Sequence, residues 1–379
     1  MSARLRRAST RSCAGERRAP TRAGACAPAL VGAGAGGHTR AVREIVIPKI
    51  GGPEVLRVRE REDPSPGAGE VRIRVRASGV NFADIMARLG LYPDAPPLPC
   101  VVGYEVAGVV DAVGEGAAGP TVGERVLALV RFGGYADTVV VPAAQAARIP
   151  EGLSFEAAAA VPVNYLTAWL MLVHLGSLRA GDRVLVHAVA GGVGQAALQI
   201  CRSRGAEVIG TASPGKHARL EALGVSRCVA SQGEDVEAAV KAWTGGRGVD
   251  IALDANGGAS LRQSYRCLAP MGRLFAFGAA SLAPATKRRL IPAIRGLLSM
   301  PRFGAVELMN DNRGVFGANL GHLWGDAARL RAMLDAILGE IEAGTLAPVV
   351  DRSFSFAEAG EAHAYIQARK NFGKVVLTP

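Results

Sequence analysis

Apolar and polar residues alternate along the first patterned part of the chain. The run 71–76, Val-Arg-Ile-Arg-Val-Arg, places its apolar side chains on one face of a strand and its arginines on the other. Further strands are predicted at 103–113 and 125–130, where glycines separate the apolar runs. Many short strands joined by glycine turns predict a small antiparallel barrel or sandwich over residues 42–150.

From residue 154 onward, short apolar strands alternate with amphipathic helices. The predicted elements are strands at 183–187, 207–210, 249–254 and 273–277, helices at 195–204, 216–223 and 326–344, and a final strand at 373–377. Alternation of this kind predicts a parallel sheet with helices on both of its faces.

Residues 157–178 carry no charge and are numerous enough to cross a bilayer. Pro162, Asn164, His174 and Gly176 interrupt the run, and it begins with four alanines, which add little hydrophobicity. We therefore predict a buried helix between two domains, and we expect no membrane association.

Composition narrows the class of protein. A chain of 379 residues is too long for one ordinary core, so two domains are expected. Its 48 glycines suit tight strand–helix turns, and only 5% aromatic residues disfavour a stacking surface for single-stranded nucleic acid. The six cysteines show no C-x-x-C spacing, so neither a disulfide framework nor a cysteine-rich zinc lobe is indicated. A reducing compartment, the cytoplasm, is the simplest interpretation.

The positive charge is concentrated in the first 40 residues. They hold eight arginines and one glutamate, so +7 of the net charge of +11 lies there and +4 lies in the remaining chain. A mildly basic body argues against nucleic-acid binding and suits a phosphate-rich small ligand. We predict that residues 1–40 are a disordered leader or follow a misassigned start codon. A mitochondrial transit peptide is the alternative, since such peptides are rich in arginine and poor in acids.

The most informative segment is the glycine-rich turn at 184–195, Val-Leu-Val-His-Ala-Val-Ala-Gly-Gly-Val-Gly-Gln. It has the order of strand, tight turn and helix start that binds the pyrophosphate of a dinucleotide, although a valine, Val189, stands where the first glycine of G-x-G-x-x-G is usual. The helix start offers free N–H groups and a positive dipole end to phosphate. The predicted binding residues of this turn are Ala190, Gly191, Gly192, Val193 and Gly194.

The end of the next strand bears on the choice of cofactor. An NAD site usually has an acidic residue there for the ribose hydroxyls, but residues 210–216, Gly-Thr-Ala-Ser-Pro-Gly-Lys, contain none. Ser213 and Lys216 could hold a 2′-phosphate instead, so NADP(H) is predicted. An ordinary loop with a solvated lysine is the alternative.

Several motifs, taken in order, resemble a known family. They are 79–84 (Gly-Val-Asn-Phe-Ala-Asp), 90–93 (Gly-Leu-Tyr-Pro), 103–108 (Gly-Tyr-Glu-Val-Ala-Gly), 123–126 (Gly-Glu-Arg-Val), 164–168 (Asn-Tyr-Leu-Thr-Ala), the glycine-rich turn, 212–216 and 371–377. The chain from about 42 to 379 resembles the zinc-independent medium-chain dehydrogenase/reductases. That branch includes quinone oxidoreductases such as zeta-crystallin, the vesicle amine transport protein homologues, and enoyl reductase domains of polyketide synthases.

The resemblance implies an α/β protein with a GroES-like β-barrel substrate domain and a Rossmann domain with a doubly wound parallel sheet. The implied boundaries are a leader at 1–40, the first part of the substrate domain at 41–163, the Rossmann domain at 164–322, and the rest of the substrate domain at 323–379. A homodimer is also implied, because the strand-like run 314–320 resembles the family's pairing strand.

The same resemblance argues against a metal. Where zinc-dependent relatives have ligands, this chain has Asn81, Tyr104 and Val163, and only Glu105 remains. One carboxylate cannot hold a catalytic zinc, which needs three protein ligands. Without a Lewis acid, the suitable acceptors are electron-poor ones, namely quinones and α,β-unsaturated carbonyls.

Roles for individual residues follow from the resemblance. Tyr92 is the candidate proton donor, with water or a pocket-lining role as alternatives. Asn81 is placed at the substrate oxygen or the nicotinamide ribose, with a structural turn as the alternative. Thr167 is placed at the nicotinamide carboxamide, with an ordinary helix residue as the alternative. The remaining predicted cofactor-binding residues are Asn256, Phe277, Gly278, Asn371 and Lys374, of which the last two could instead bridge the domains.

The sequence therefore predicts an NADPH-dependent, zinc-independent reductase of small-molecule quinones or enones. Two alternatives stay open: a separate enoyl-thioester reductase of polyketide or fatty-acyl chains, and a nucleotide-binding interaction protein of membranes or vesicles.

Overall fold

The computed structural model describes residues 41–283 and 290–379. The predicted leader, 1–40, lies outside these residues. The elements of the first part are β1 (Val42–Ile47), β2 (Arg57–Arg61), β3 (Glu70–Val80), α1 (Phe82–Arg88), β4 (Cys100–Val101), β5 (Glu105–Val113), β6 (Arg125–Leu129), β7 (Thr138–Pro142), β8 (Ala146–Arg148), α2 (Phe155–Ala158) and α3 (Pro162–Trp169).

The second part contains the remaining elements. They are β9 (Arg183–Val186), α4 (Gly192–Ser203), β10 (Glu207–Ala212), α5 (His217–Ala222), β11 (Arg227–Ala230), α6 (Val236–Thr244), β12 (Val249–Asp254), α7 (Ala259–Arg266), β13 (Leu268–Ala276), α8 (Leu290–Leu298), α9 (Ala305–Asp311), β14 (Gly314–Gly317), α10 (Ala327–Glu342), β15 (Val350–Ser355), α11 (Ala359–Gln367) and β16 (Lys374–Thr378).

A largely antiparallel sheet is built around the long strand β3. The seven-stranded sheet has the order β15-β16-β3-β5-β6-β8, with β7 also paired to β3, and a second sheet has the order β2-β1-β4. On β3, Val71, Ile73 and Val75 are buried, as the alternation predicted. The arginines between them form ion pairs with Asp63 and Asp111.

The last strand of the chain completes this antiparallel sheet. Strand β16 pairs with β3, with Val376 opposite Gly79, so residues far apart in sequence become neighbours at the start of α1. This placement decides the geometry of the site described below.

The second sheet is parallel and has six strands in the order β11-β10-β9-β12-β13-β14. Counted from β9, this is the doubly wound order 3-2-1-4-5-6, which binds dinucleotides at the carboxyl ends of its strands. Its strands are buried on both faces: Val184 and Val186 belong to one apolar cluster, and Leu185 belongs to another on the opposite side. The predicted fold class, a GroES-like part with a Rossmann sheet, is confirmed.

The uncharged run lies between the two sheets. Helices α2 and α3 continue into a π-helical turn at Leu170–His174. The span Phe155–His174 has the length and apolar composition of a membrane helix, but 72% of its most apolar window is buried inside the protein. Leu166 and Met171 pack in the cluster that contains Ala77 of β3 and Val186 of β9, which agrees with the prediction of a core helix between two domains.

Candidate active site

A cavity of about 670 Å³ opens where the two parts of the molecule meet. Side chains of α1, α3, the segment after β13 and the loop before α10 form its wall, and most of them are apolar. The lining includes Asn81, Tyr92, Tyr104, Val163, Thr167, Phe277, Gly278 and Asn319. The volume and the mainly apolar lining suit a small organic ligand.

Asn81 precedes the first turn of α1 at the inner wall of the cavity, and buried charged groups hold its side chain. Its Nδ2 donates to Oε1 of Glu105 at 3.0 Å, and its Oδ1 accepts from Nζ of Lys374 at 2.7 Å. Lys374 and Glu105 also form an ion pair, with side chains 2% and 0% exposed. The second carboxylate oxygen of Glu105 accepts from the N–H of Val163 at 2.7 Å.

This network bears on the expected roles of two residues. A substrate oxygen at Asn81 would have to share an amide that already has protein partners. Lys374 is directed to Asn81 and Glu105, so its ammonium lies at the junction of β16 and α1. These partners all belong to the antiparallel-sheet part of the molecule, so this contact does not span the two domains, and a phosphate-binding role for Lys374 stays a prediction.

Asp84, in the first turn of α1, is a buried residue that sequence reasoning did not select. It accepts hydrogen bonds from the N–H groups of Asn81 at 2.8 Å and Gly103 at 3.0 Å, and from the hydroxyl of Tyr135 at 3.1 Å. Burial raises the pKa of Asp84 to about 7, although these hydrogen bonds oppose the shift. Asp84 thus ties the start of α1 to the turn that carries Tyr104.

Two tyrosines face each other on the cavity wall. The rings of Tyr92 and Tyr104 pack edge to face with centroids 6.4 Å apart. Tyr92 is half-buried, whereas Tyr104 is 8% exposed, and its hydroxyl, although near that of Tyr92, makes no hydrogen bond of good geometry within the described ranges 41–283 and 290–379. Burial raises the pKa of both phenols, so both are neutral hydrogen-bond donors near pH 7.

The glycine-rich turn adopts the geometry that a pyrophosphate site needs. A Cβ on Gly194 would lie 2.5 Å from the Ala188 carbonyl oxygen and 2.6 Å from the Val189 Cα, so only glycine lets α4 pack this closely on the turn after β9. A Cβ on Gly191 would meet one atom, the Ala188 carbonyl oxygen at 3.2 Å, a tight contact but a much less crowded one than at Gly194. Gly191 caps α4, and Gly192, Val193 and Gly194 form its first turn, where helical N–H groups lack partners within the helix. This cradle fits a dinucleotide phosphate.

The valine in place of the first glycine also has a structural reason. Val189 is fully buried, and a Cβ on Gly210 of β10 would lie 2.5 Å from its side chain. Gly210, which has no side chain, therefore leaves on β10 the room that the Val189 side chain occupies.

The C-terminal segment touches this turn directly. The N–H of Gly373 donates to the carbonyl of Ala190 at 2.8 Å, and the Lys216 ammonium donates to the carbonyls of Arg369 at 2.7 Å and Asn371 at 2.6 Å. The Asn371 amide donates to the Gly373 carbonyl. Lys216 is therefore held on the C-terminal segment, and Ser213 lies beside it at the end of β10.

The other predicted cofactor residues follow the carboxyl edge of the parallel sheet. Asn256 follows β12 and contacts Nδ1 of the buried His187 at 3.4 Å, while Phe277 and Gly278 follow β13 and reach the cavity. The structure thus brings Asn81, Tyr92, Thr167, Phe277 and Gly278 onto one cavity. The glycine turn, Ser213, Lys216 and Asn256 lie along the adjacent sheet edge.

Among the residues described here, no three His, Cys, Asp or Glu side chains converge to form a metal site. Asn81, Tyr104 and Val163 all lie on the cavity, and their side chains offer an amide, a phenol and an alkyl group. That set does not provide the thiolate, imidazole and carboxylate ligands that zinc prefers.

The comparisons with known proteins agree with this fold and site. The family model described as "Alcohol dehydrogenase GroES-like domain" matches residues 67–151, and the one described as "Zinc-binding dehydrogenase" matches residues 223–377. The human synaptic vesicle membrane protein VAT-1 homolog is 39% identical over 341 residues, 89% of this chain and 86% of the relative.

Solved structures give the same result. A quinone oxidoreductase of Pseudomonas syringae superposes with a TM-score of 0.79 at 32% identity, covering 89% of this chain and all of that one. A mycobacterial protein solved in complex with NADPH superposes with a TM-score of 0.78 at 33% identity over 89% of this chain and 100% of its own.

Fold and site together define an oxidoreductase of the medium-chain dehydrogenase/reductase class. The chain belongs to the zinc-independent branch of that family, with the VAT-1 homologues and quinone oxidoreductases. The family and the NADPH-bound neighbour support a nicotinamide cofactor.

Proposed function

We propose that the protein transfers hydride from NADPH to quinones or α,β-unsaturated carbonyls without a metal. One observation carries the proposal: an apolar cavity at the carboxyl edge of a dinucleotide-binding sheet contains neutral phenols and no set of metal ligands among the described residues. Such a cavity can bind an electron-poor carbonyl compound and hydrogen-bond to its oxygen as negative charge develops there.

The nicotinamide, when bound, supplies the hydride. In this proposal Thr167 and Gly278 lie where they can orient the ring at the cavity. The apolar wall excludes water from the reacting carbon. For an enone, hydride addition at the β-carbon moves the π electrons to the oxygen, and the α-carbon then takes a proton. Tyr92 is half-buried on the cavity wall and is proposed to supply it.

We also propose a preference for NADPH over NADH. The support is the loop after β10, in which no acid stands where an NAD site usually has one. Lys216 would have to exchange its two carbonyl partners for a 2′-phosphate. A homodimer through the edge strand β14 is proposed as well, since β14 pairs with β13 on one side and ends the sheet.

The test is a cofactor-oxidation screen with NADPH and NADH against 1,4-naphthoquinone, benzalacetone and crotonyl coenzyme A. The proposal expects faster turnover with NADPH and with the first two acceptors. Turnover confined to the thioester would favour an enoyl-thioester reductase instead. No oxidation of either cofactor with any acceptor would reject the proposed activity.

The variant Tyr92→Phe tests the donor. We expect enone kcat to fall at least about tenfold, since a positioned acid contributes roughly 10²–10⁴ in rate, while NADPH affinity stays nearly unchanged. The quinone rate should fall less, because a hydroquinone anion can take its proton from water. An unchanged enone rate would reject Tyr92 as the donor.

A further inference from the structure

The backbone of Tyr104 is anchored on both sides by buried carboxylates. Before it, Gly103 donates its N–H to Asp84. After it, Glu105 is paired with Lys374 and accepts from the N–H of Val163. The carbonyl of Tyr104 accepts from the N–H of Val130 at 2.8 Å. The backbone that carries the Tyr104 ring is therefore held in place on both sides.

The glycine before Tyr104 is required by the same turn. Gly103 has a φ of +101°, and a Cβ there would lie 2.6 Å from the ring of Tyr135 and 2.7 Å from its backbone nitrogen. A side chain at this position would displace the turn. The local structure thus fixes the backbone from which Tyr104 contributes to the cavity wall.

Packing fixes the ring in the cavity wall. Phe132 lies on one side with ring centroids 5.1 Å apart, and Tyr92 meets it edge to face. The hydroxyl at the end of this held ring is buried, and among the described residues it has no hydrogen-bond partner of good geometry, although the Tyr92 hydroxyl is near enough to affect its pKa. A buried hydroxyl without a partner destabilises a fold, so its presence in a ligand cavity indicates that a ligand supplies the partner.

Of the other polar groups on the cavity wall, the Trp324 indole N–H is likewise buried without a partner among the described residues. The Asn81 amide already has Glu105 and Lys374 as partners. The Tyr92 hydroxyl lies near the loop between β14 and α10, 3.7 Å from the position that a Cβ on Gly321 would take. Burial raises the pKa of Tyr104, which keeps the phenol protonated and able to donate at neutral and moderately alkaline pH.

We propose that the Tyr104 hydroxyl donates the hydrogen bond that holds the carbonyl oxygen of the acceptor, a role separate from proton delivery by Tyr92. This inference rests on the proposed function. With an enone, hydride bonds to the β-carbon, the C=C electrons shift to form the enolate, and Tyr104 holds its oxygen. Tyr92 then gives its proton to the α-carbon and regains one from water. With a quinone, Tyr104 holds an oxygen of the hydroquinone anion, and water supplies the last proton.

The variant Tyr104→Phe removes only the hydroxyl. We expect kcat/KM to fall about 10²–10³-fold for both naphthoquinone and benzalacetone, the range for loss of one oxyanion donor. NADPH affinity should not change. Tm should change little, because the hydroxyl makes no hydrogen bond of good geometry with the described residues, the nearby Tyr92 included. By contrast, Tyr92→Phe should affect the enone far more than the quinone.

The matched control is Tyr265→Phe, which removes a hydroxyl outside the cavity. The Tyr265 hydroxyl donates to Asp311 at 2.9 Å, so we expect a lower Tm with unchanged kinetics for both acceptors. A Tyr104→Phe protein that loses Tm and activity in proportion, with the kinetic loss spread over NADPH affinity as well, would show a structural role and overturn the proposal.

A second readout does not depend on turnover. Benzalacetone bound in the presence of NADP⁺ cannot be reduced, and its carbonyl stretch is measured by difference infrared spectroscopy. We expect a lower frequency in the wild-type protein than in Tyr104→Phe. If no acceptor is turned over but this difference appears, the proposed activity is wrong and the Tyr104 contact is right. Turnover with equal rates in both proteins, equal stretches, or failure of the ketone to bind the wild-type protein would overturn the contact.

Discussion

Replacing Lys374 with methionine should destabilise the protein more than any surface lysine substitution. The ammonium is 2% exposed and paired with Glu105, which is fully buried, and it also donates to Oδ1 of Asn81. Methionine fills much of the same volume but leaves the Glu105 carboxylate without its counter-charge. The remaining hydrogen bonds to Glu105 come from the Val163 N–H and the Asn81 amide, both uncharged donors.

Removing one partner of a buried ion pair costs about 3–5 kcal/mol of unfolding free energy, because the other charge stays desolvated. We expect a loss of that size for Lys374→Met. The double variant Lys374→Met/Glu105→Gln should recover most of it, because no unpaired charge remains and the amide oxygen of the substituted side chain can still accept from the N–H of Val163. The coupling between the two sites should therefore reach about 2–3 kcal/mol.

The assay is urea-induced unfolding of the wild-type protein, both single variants and the double variant. Lys241→Met is the matched control, since Lys241 pairs with Glu237 on an exposed helix face with its side chain 54% exposed. An exposed pair of this kind contributes about 0.3–0.5 kcal/mol. If Lys374→Met costs no more than this control, or if the two substitutions are additive, the buried pair does not act as described.

Three further predictions concern the turn, the metal and pH. Gly194→Ala should lower the unfolding free energy by about 1–3 kcal/mol, because its Cβ would meet backbone atoms at 2.5 Å. Gly191→Ala, whose Cβ would meet one carbonyl oxygen at 3.2 Å, should lower the urea midpoint less and weaken NADPH binding in a titration; the reverse order of the two stability losses would contradict the assignment. Elemental analysis should find no stoichiometric zinc, and chelation should leave activity intact; one bound zinc per chain that activity requires would show an unrecognised site. Because burial raises the pKa of Asp84 to about 7, its contribution to stability is fully present below about pH 4 and is lost as pH rises through 7. The stability of the wild-type protein relative to Asp84→Asn should therefore fall by as much as about 4 kcal/mol across that window, and an unchanged difference in urea midpoint would refute the shift.

Short-range patterns in the sequence determined much of the fold. The alternation at 71–76 predicted the buried and charged faces of β3, because a strand repeats every two residues. The glycine turn at 184–195 predicted strand, phosphate cradle and helix, since the steric need for glycine at Gly194 is local. These signals lie within a few neighbouring residues, so the sequence alone contains them.

Pairings between distant segments were decided only by the tertiary structure. Lys374 reaches Asn81 across 293 positions because β16 joins the sheet beside β3. Lys216, predicted from its loop to meet a phosphate, donates to carbonyls of the C-terminal segment, a contact that its loop alone could not indicate. Asp84 gained its role from Gly103 and Tyr135, which periodicity cannot bring together.

The physical reason is that an apolar side chain needs only a surface away from water, whereas a buried polar side chain needs one particular partner. A hydrophobic pattern states which side of an element avoids water, because apolar burial is non-directional. A buried charge or hydroxyl needs one specific group at hydrogen-bond distance, and that group is supplied by whichever strand or loop packs there. For Asn81, Glu105 and Lys374 that group is present, whereas the Tyr104 hydroxyl lies near Tyr92 but makes no hydrogen bond of good geometry with the described residues.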